Sequence, residues 1–532
     1  MSVDKTALAA QPLSVAAAVP VAGTGVLVDR RSRVGIRVWT LTAFLFLAPA
    51  IVYWPATFHD FGLRDDYSTL REAREEPGKI LQFCASHARP LYGMLLQVTY
   101  GQTTSVENLQ WMRLFSALIL GAISLVSFRG LRSLGWHFNP ALCFAVLVVL
   151  VPSAQIISGW AIGWPYAIAA LMALGGFFLA EGALTAGTRA LTRRTALQWG
   201  VAVGLMVGSA LIYQPSALFY LVPLAGAFLA RRERTPRQTL RWGAAHLGFV
   251  TGTLGLAYCT MSVLYAAGVF VKSGRVAFEH HWGDKLAWFL EEPLPNALSL
   301  FVLNDDALRD HGLYFLGAGL AGLVLISGAV LEWRRHGRER GLLWLIALLG
   351  LPTFAFTVSL IAAERYATYR TIFALTAVLL CFLVVSARML TEYLGAGARR
   401  IIATALLCVA FFSAQHHAYA LLAVPQGNEW ELIVAGAKHV RLDEAHPRIF
   451  AIASIPADRS TATIYHDEFG SLSSNSEWVP KEMFKRAMHD LHPEISNIDA
   501  RYEFATGPSL PAGKRFDVIV DLRRLRRFST TQ

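Results

Sequence analysis

Stretches of about 20 mostly apolar residues, each long enough to cross a bilayer as a helix, recur along this chain and constrain its fold more than any other feature. Candidates fall near 38–56, 109–128, 138–157, 162–180, 197–213, 215–230, 243–270, 313–332, 341–361, 371–388 and 401–423. The neighbouring segments of 197–230 are separated at Tyr213-Gln214-Pro215-Ser216, which reads as a tight hairpin. A chain of 532 residues that is 54% hydrophobic and only 16% charged fits this picture, because soluble domains carry roughly a quarter charged residues. The expected fold is an all-α polytopic membrane protein of about 11 transmembrane helices, followed by a small α/β C-terminal periplasmic domain.

The charge between the apolar runs sets an orientation. A net charge of +11 would suit nucleic acid, but the arginines sit in short loops rather than on one patch. Cytoplasmic loops of membrane proteins collect Lys and Arg. With the N-terminus inside, the cytoplasmic loops hold Arg129 and Arg132, then Arg189, Arg193 and Arg194, then Arg231, Arg232, Arg234, Arg237 and Arg241. Arg334, Arg335, Arg338 and Arg340, and finally Arg399 and Arg400, continue the series. The acids gather in the opposite loops, with Asp60, Asp65, Asp66, Glu72, Glu75 and Glu76 in the first. The five cysteines show no CxxC spacing, and the four that fall inside apolar segments read as small buried hydrophobes. The expected organisation is a cytoplasmic disordered tail over 1–37, a transmembrane region over 38–424 with a first periplasmic loop at 57–108, and a periplasmic domain over 425–532. The expected location is the inner (cytoplasmic) membrane of a bacterium. Within the C-terminal domain, Arg448–Ile455 and Phe516–Val520 read as strands and Val479–Leu491 as a helix, and Arg523, Arg524, Arg526 and Arg527 are placed to meet lipid headgroups.

The first periplasmic loop is too long and polar for a mere connector. Asp65 and Asp66 stand side by side after Arg64, ahead of a helical Ser68–Glu76. One reading makes them a helix cap and first-turn acid; the other makes them a catalytic pair. His87-Ala88-Arg89-Pro90 follows and ends at a helix start, a fit position for an arginine facing an anion.

An acidic pair soon after the first span, then a Gly-Arg-Pro-like element, resembles the phage-type serotype-converting glucosyltransferase II family. More broadly the chain resembles the GT-C type membrane glycosyltransferases. Ala88 stands where that element has glycine. The resemblance implies a many-span enzyme with its acidic motif in the first external loop, a polyprenyl-phosphate sugar donor and a soluble external C-terminal domain. It would transfer the sugar, with inversion, to a cell-envelope glycan acceptor such as O-antigen. Rival readings are a transporter or flippase of lipid-linked glycans, and an O-antigen polymerase or ligase. Transporters place ionisable residues within their spans, whereas the spans here read as almost free of charge.

Glycosyl transfer from a lipid phosphate needs a base for the acceptor hydroxyl and a cation for the departing phosphate. Asp65 is assigned as base and Asp66 as its orienting partner. Arginine suits the phosphate because its planar fork matches the oxygens. Arg365 and Arg370, in the segment Glu364–Arg370, are the leading candidates, with Arg89 and Lys272 behind them. If that stretch is regular helix, Arg365 faces the cleft and Arg370 the lipid. Arg64 and His87 complete the polar set. Trp160, Trp164, Tyr213 and Gln214 are offered to the sugar or donor, although interfacial Trp and Tyr occur in any membrane protein. Asp305-Asp306 forms a second acidic pair. His280, His281 and Asp284 make a weak metal pattern, so no cofactor or metal ligand is assigned, a divalent metal staying open.

Overall fold

A computed structural model describes residues 24–185, 192–304, 312–443, 446–453 and 468–524. The chain divides into two compact units, Met1–Phe44 and Leu45–Gln532. The first helix, α1, runs over Thr24–Thr57, so the chain is already helical well before Val38, within the stretch expected as a disordered tail. Four helices belong to the first loop and the next span: α2 (Asp65–Glu75), α3 (Lys79–Ser86), α4 (Pro90–Gln102) and α5 (Leu109–Ser133). The bent pair α6 (Phe138–Leu147) and α7 (Pro152–Gly159) leads to α8 (Trp164–Thr185) and α9 (Arg193–Ile212). Next come α10 (Gln214–Ala217), α11 (Leu221–Ala230), α12 (Pro236–Ala266), α13 (Trp282–Glu291) and α14 (Pro293–Leu298). The remaining helices before the C-terminal sheet are α15 (Gly312–His336), α16 (Arg338–Ala355), α17 (Thr357–Ile361), α18 (Phe373–Thr391), α19 (Ala396–His416) and α20 (Val424–Ala437).

Among the described residues, 8 helices are long and apolar enough to cross a membrane, or 9 if the bent pair α6–α7 counts as one span. The expected number of about 11 is therefore not reached. The shortfall has local causes. Pro152 starts a new helix at its first turn and bends the pair by 48°. Gln214–Ala230 is apolar but short, and α16 ends at Ala355 before the five-residue α17. Apolar side chains along the long helices face outward, among them Leu256 and Val263 on α12, Leu316, Leu323 and Ile326 on α15, and Leu406, Val409 and Phe412 on α19. An exterior of this kind is a lipid-facing one. Close helix approach is achieved with small residues: a side chain at Gly121 on α5 would meet the Phe46 carbonyl oxygen at 1.9 Å.

Among the described residues, Glu181, His246, Glu332 and Arg113, with His417 and Glu429 on the span Ala396–Ala437, lie buried in or at the ends of spans, which corrects the expectation that the spans are almost free of charge. All are partnered. Glu181 accepts from Arg231, the Trp242 indole (2.8 Å) and lies 2.9 Å from His246, which in turn meets the Tyr220 hydroxyl at 2.6 Å. Glu332 pairs with Arg232 at 3.0 Å. Arg113 near the start of α5 donates to the carbonyls of Thr57, Phe61 and His59 at 3.1, 2.8 and 2.6 Å.

These contacts sort the loops into two ends of the bundle. Arg231, Arg232, Arg234, Glu181, Glu332 and Arg340 tie together one end, where Arg340 reaches the Arg231 carbonyl. At the other end Arg89 meets Gln214, Ser273 meets Ser86, and Lys285 donates to the Glu364 carbonyl. The loops carrying Arg231–Arg234 and Arg340 thus share one end with Glu181 and Glu332, and the first loop shares the other with Ser273 and with Lys285 and Glu364.

The C-terminal segment is a small parallel sheet with strand order β2-β1-β3, where β1 is Arg448–Ile452, β2 is Glu503–Gly507 and β3 is Val518–Asp521. The helix α21 (Val479–Leu491) connects β1 to β2. Its amphipathic VPKEMFKRAMHDL buries Met483, Phe484, Ala487 and Met488. On α2 of the first loop, Arg71 meets Glu482 of α21 at 2.9 Å. The strands expected at 448–455 and 516–520 are present as β1 and β3, in shorter form, and β2 was not foreseen. Arg523 pairs with Asp521, and Arg526 and Arg527 lie outside the described residues.

Candidate active site

The site is built on the turn that leads from α1 into α2. Tyr67 is fully buried, and its hydroxyl both donates to the Gly62 carbonyl (3.0 Å) and accepts the Gly62 N–H (3.1 Å). Arg113 grips the same turn from below through the three carbonyls named above. Asp66 is part of this lock. One carboxylate oxygen accepts the Tyr100 hydroxyl at 2.5 Å and the other accepts the Leu63 N–H at 2.8 Å. Burial pushes its carboxyl up to about 7, and the Tyr100 and Leu63 hydrogen bonds and the Arg113 charge only partly offset this.

Asp65 points the other way. It remains accessible to solvent, and among the described residues no hydrogen bond or ion pair engages its carboxylate. Protein nevertheless crowds around it, and the resulting desolvation raises its carboxyl above the ordinary range. Arg370 and then Arg64 pull it back down, while Glu468 and Glu72 push it up. Arg370 and Arg64 are thus its strongest charged neighbours.

Those cations are held by the C-terminal segment. Arg64 sits at φ 44°, a left-handed backbone unusual for a side-chain-bearing residue. Its N–H donates to Ser473 Oγ at 2.9 Å and its guanidinium to Ser471 Oγ at 3.1 Å. Arg370 donates to Glu468 Oε1 at 2.9 Å and to the Tyr366 hydroxyl, and lies 4.4 Å from the Trp160 ring centroid. The segment carrying Glu468 is stapled in place. Glu429 accepts the N–H groups of Ser473 (2.9 Å) and Ser474 (3.0 Å), and Gln426 donates to the Ser471 carbonyl and accepts the Ser473 hydroxyl, each at 2.6 Å.

An aromatic floor adjoins these groups. Tyr92 and Tyr166 stack at 5.1 Å with their hydroxyls 2.9 Å apart, and Tyr166 packs against Tyr213 at 4.1 Å. Arg89 covers Tyr213 at 4.8 Å and donates to Gln214 Oε1 at 3.3 Å, while Gln214 Nε2 donates to the Ala88 carbonyl at 2.8 Å. Ala88 adopts φ 61°, the left-handed region that favours glycine, and its N–H donates to the Tyr265 hydroxyl at 3.0 Å.

The structure thus brings Asp65, Arg64, Arg370, Arg89, Trp160, Tyr213 and Gln214 to one end of the bundle. Other residues singled out in the sequence lie apart. Arg365 is exposed and acts on Glu279 and Lys285, so Arg370, not Arg365, is the arginine beside Asp65. The reason is that 362–368 is not helical; Phe278 bridges to Ala362, and the chain bends at Ala363 and Glu364 before Tyr369–Thr371. His87 bonds to the Phe83 carbonyl and lies 3.4 Å from Ser273 Oγ. Trp164 is buried against Phe115. Lys272 is exposed, and Asp305 and Asp306 lie outside the described residues. The Glu279 carboxylate accepts the backbone N–H groups of His280 and His281. Among the described residues no three His, Cys, Asp or Glu side chains gather as a metal group. Sequence reasoning missed Glu468, Ser471, Ser473 and Tyr366, none of which carries a local motif.

With this geometry in view, the chain was compared with known proteins. No family model matches it, and neither curated proteins nor solved structures show significant similarity. The functional reading therefore rests on the site.

Proposed function

We propose that the protein is a polytopic membrane glycosyltransferase of GT-C type. It moves a sugar from a polyprenyl-phosphate donor to a cell-envelope glycan such as O-antigen, on the periplasmic face of a bacterial inner membrane. The observation that carries this reading is that Asp65, an exposed carboxylate that no described residue engages, has Arg370 and Arg64 as its strongest charged neighbours, with its carboxyl raised above the ordinary range. A carboxylate of that kind takes a hydroxyl proton more readily than an ordinary one, and arginine forks accept a departing phosphate.

In the proposed step, Asp65 takes the proton of the acceptor hydroxyl as its oxygen attacks the anomeric carbon. The bond from that carbon to the phosphate oxygen breaks, and its electron pair leaves with the polyprenyl phosphate, next to Arg370, Arg64 and Arg89. Attack opposite the leaving group inverts the anomeric centre. The buried tyrosines support Arg89 from below, since Arg89 lies over the Tyr213 ring at 4.8 Å. The left-handed Ala88 adds support, because glycine in a Gly-Arg-Pro element adopts that conformation without strain.

Purified protein in lipid nanodiscs, supplied with a panel of polyprenyl-phosphoryl sugars and a lipid-linked glycan, tests the reading. Release of polyprenyl phosphate with an inverted linkage by NMR is the expected result. Transfer only from nucleotide sugars, or retention of configuration, contradicts it.

A further inference from the structure

Two guanidinium groups from distant parts of the chain converge on one carboxylate oxygen. Glu468 Oε1 lies 2.9 Å from Arg370 Nη1 and 3.7 Å from Arg64 Nη1, and the Glu468 side chain is fully buried. A pair of arginines around a single anionic oxygen is the arrangement that grips a phosphate. The carboxylate comes from the C-terminal segment, and the Gln426 and Glu429 hydrogen bonds to Ser471, Ser473 and Ser474 set its position.

We infer that Glu468 stands in for the ligand's phosphate, so that the C-terminal domain competes with the lipid headgroup for Arg370 and Arg64. This rests on the glycosyl-transfer reading above. An anionic headgroup must displace the glutamate to engage both arginines. Charge makes the competition asymmetric between donor and product. A sugar phosphodiester carries one negative charge, whereas the released phosphomonoester carries about −1.5 to −2 near neutral pH. The product is thus the ligand that the arginines hold harder. A carboxylate returning to them offsets that preference and favours release. Glu468 is a positioning residue in this scheme and touches no reacting atom.

Binding of undecaprenyl phosphate to the full-length protein in nanodiscs tests the inference, with wild type, Glu468→Gln, Glu468→Asp and Arg370→Ala compared. Glu468→Gln removes the competing charge, and its Kd is expected to fall about tenfold, equivalent to about 1.4 kcal/mol. Its steady-state turnover should drop after a normal first turnover. Glu468→Asp keeps the charge on a shorter arm, and its Kd should lie between the two, so it serves if the glutamine variant does not fold. A merely structural salt bridge gives the opposite sign, since its loss scatters the arginines and weakens binding. Unchanged or weaker binding by both variants, with Arg370-dependent binding in wild type, overturns the inference and leaves the glycosyl-transfer reading standing. Equal binding by wild type and Arg370→Ala removes the phosphate site itself, and both ideas fall.

Discussion

The Tyr100 hydroxyl donates to the buried carboxylate of Asp66 at 2.5 Å, and this one bond separates two adjacent acids into different roles. Asp66, with its second oxygen on the Leu63 N–H, belongs to the framework. Asp65, the residue before it, is exposed, and no described residue engages its carboxylate.

Loss of the framework bond should cost stability rather than chemistry. Tyr100→Phe leaves a buried carboxylate short of a donor, a defect of about 1–3 kcal/mol. Thermal unfolding of the purified protein should show the loss, while turnover per folded molecule falls far less than in Asp65→Asn.

Asp66 should also leave a mark on the pH dependence of stability. Its folded value of about 7 lies above the model-peptide value of 3.8, so the native state holds a proton that the unfolded chain has lost. That contribution is complete below about pH 4 and is lost as pH rises through 7. Melting temperatures measured from pH 5 to 8 should fall with a slope that flattens in Asp66→Asn. An unchanged slope in the variant would remove Asp66 as its source.

The two arginines of the 365–370 segment should differ sharply. Arg370→Ala should lower turnover by about 10²–10³-fold, the usual effect of removing one transition-state donor, and Arg370→Lys should rescue it poorly because the fork is lost. Arg365→Ala should stay near wild type. Equal losses at both positions would contradict the placement of Arg370 beside Asp65.

Ala88 offers a backbone test. A left-handed alanine carries about 1–2 kcal/mol of strain. Ala88→Gly should therefore be neutral to mildly stabilising in thermal unfolding, and Ala88→Val clearly destabilising.

Much of this architecture was legible in the apolar runs and loop charges, because lipid leaves few choices for a 20-residue apolar segment. Where a run breaks was less legible. Val151-Pro152 splits one expected span, since proline opens a new helix there. The difference between Asp65 and Asp66 was invisible, because it depends on Tyr100, 34 residues away. Arg365 was favoured over Arg370 on the assumption of regular helix, which the non-helical 362–368 does not satisfy. Glu468 and Ser473 could not be found at all. Ser473 meets Arg64 across 409 residues of sequence, and only the docking of the C-terminal segment brings them together.

The central claim is that Asp65 is the base. Transfer from a polyprenyl-phosphoryl sugar should be measured for wild type and Asp65→Asn in nanodiscs, with donor binding followed in parallel. Asparagine keeps the shape but cannot take the proton, so turnover should fall by about 10²–10⁴-fold while donor binding persists. Near-normal turnover in Asp65→Asn would contradict the account.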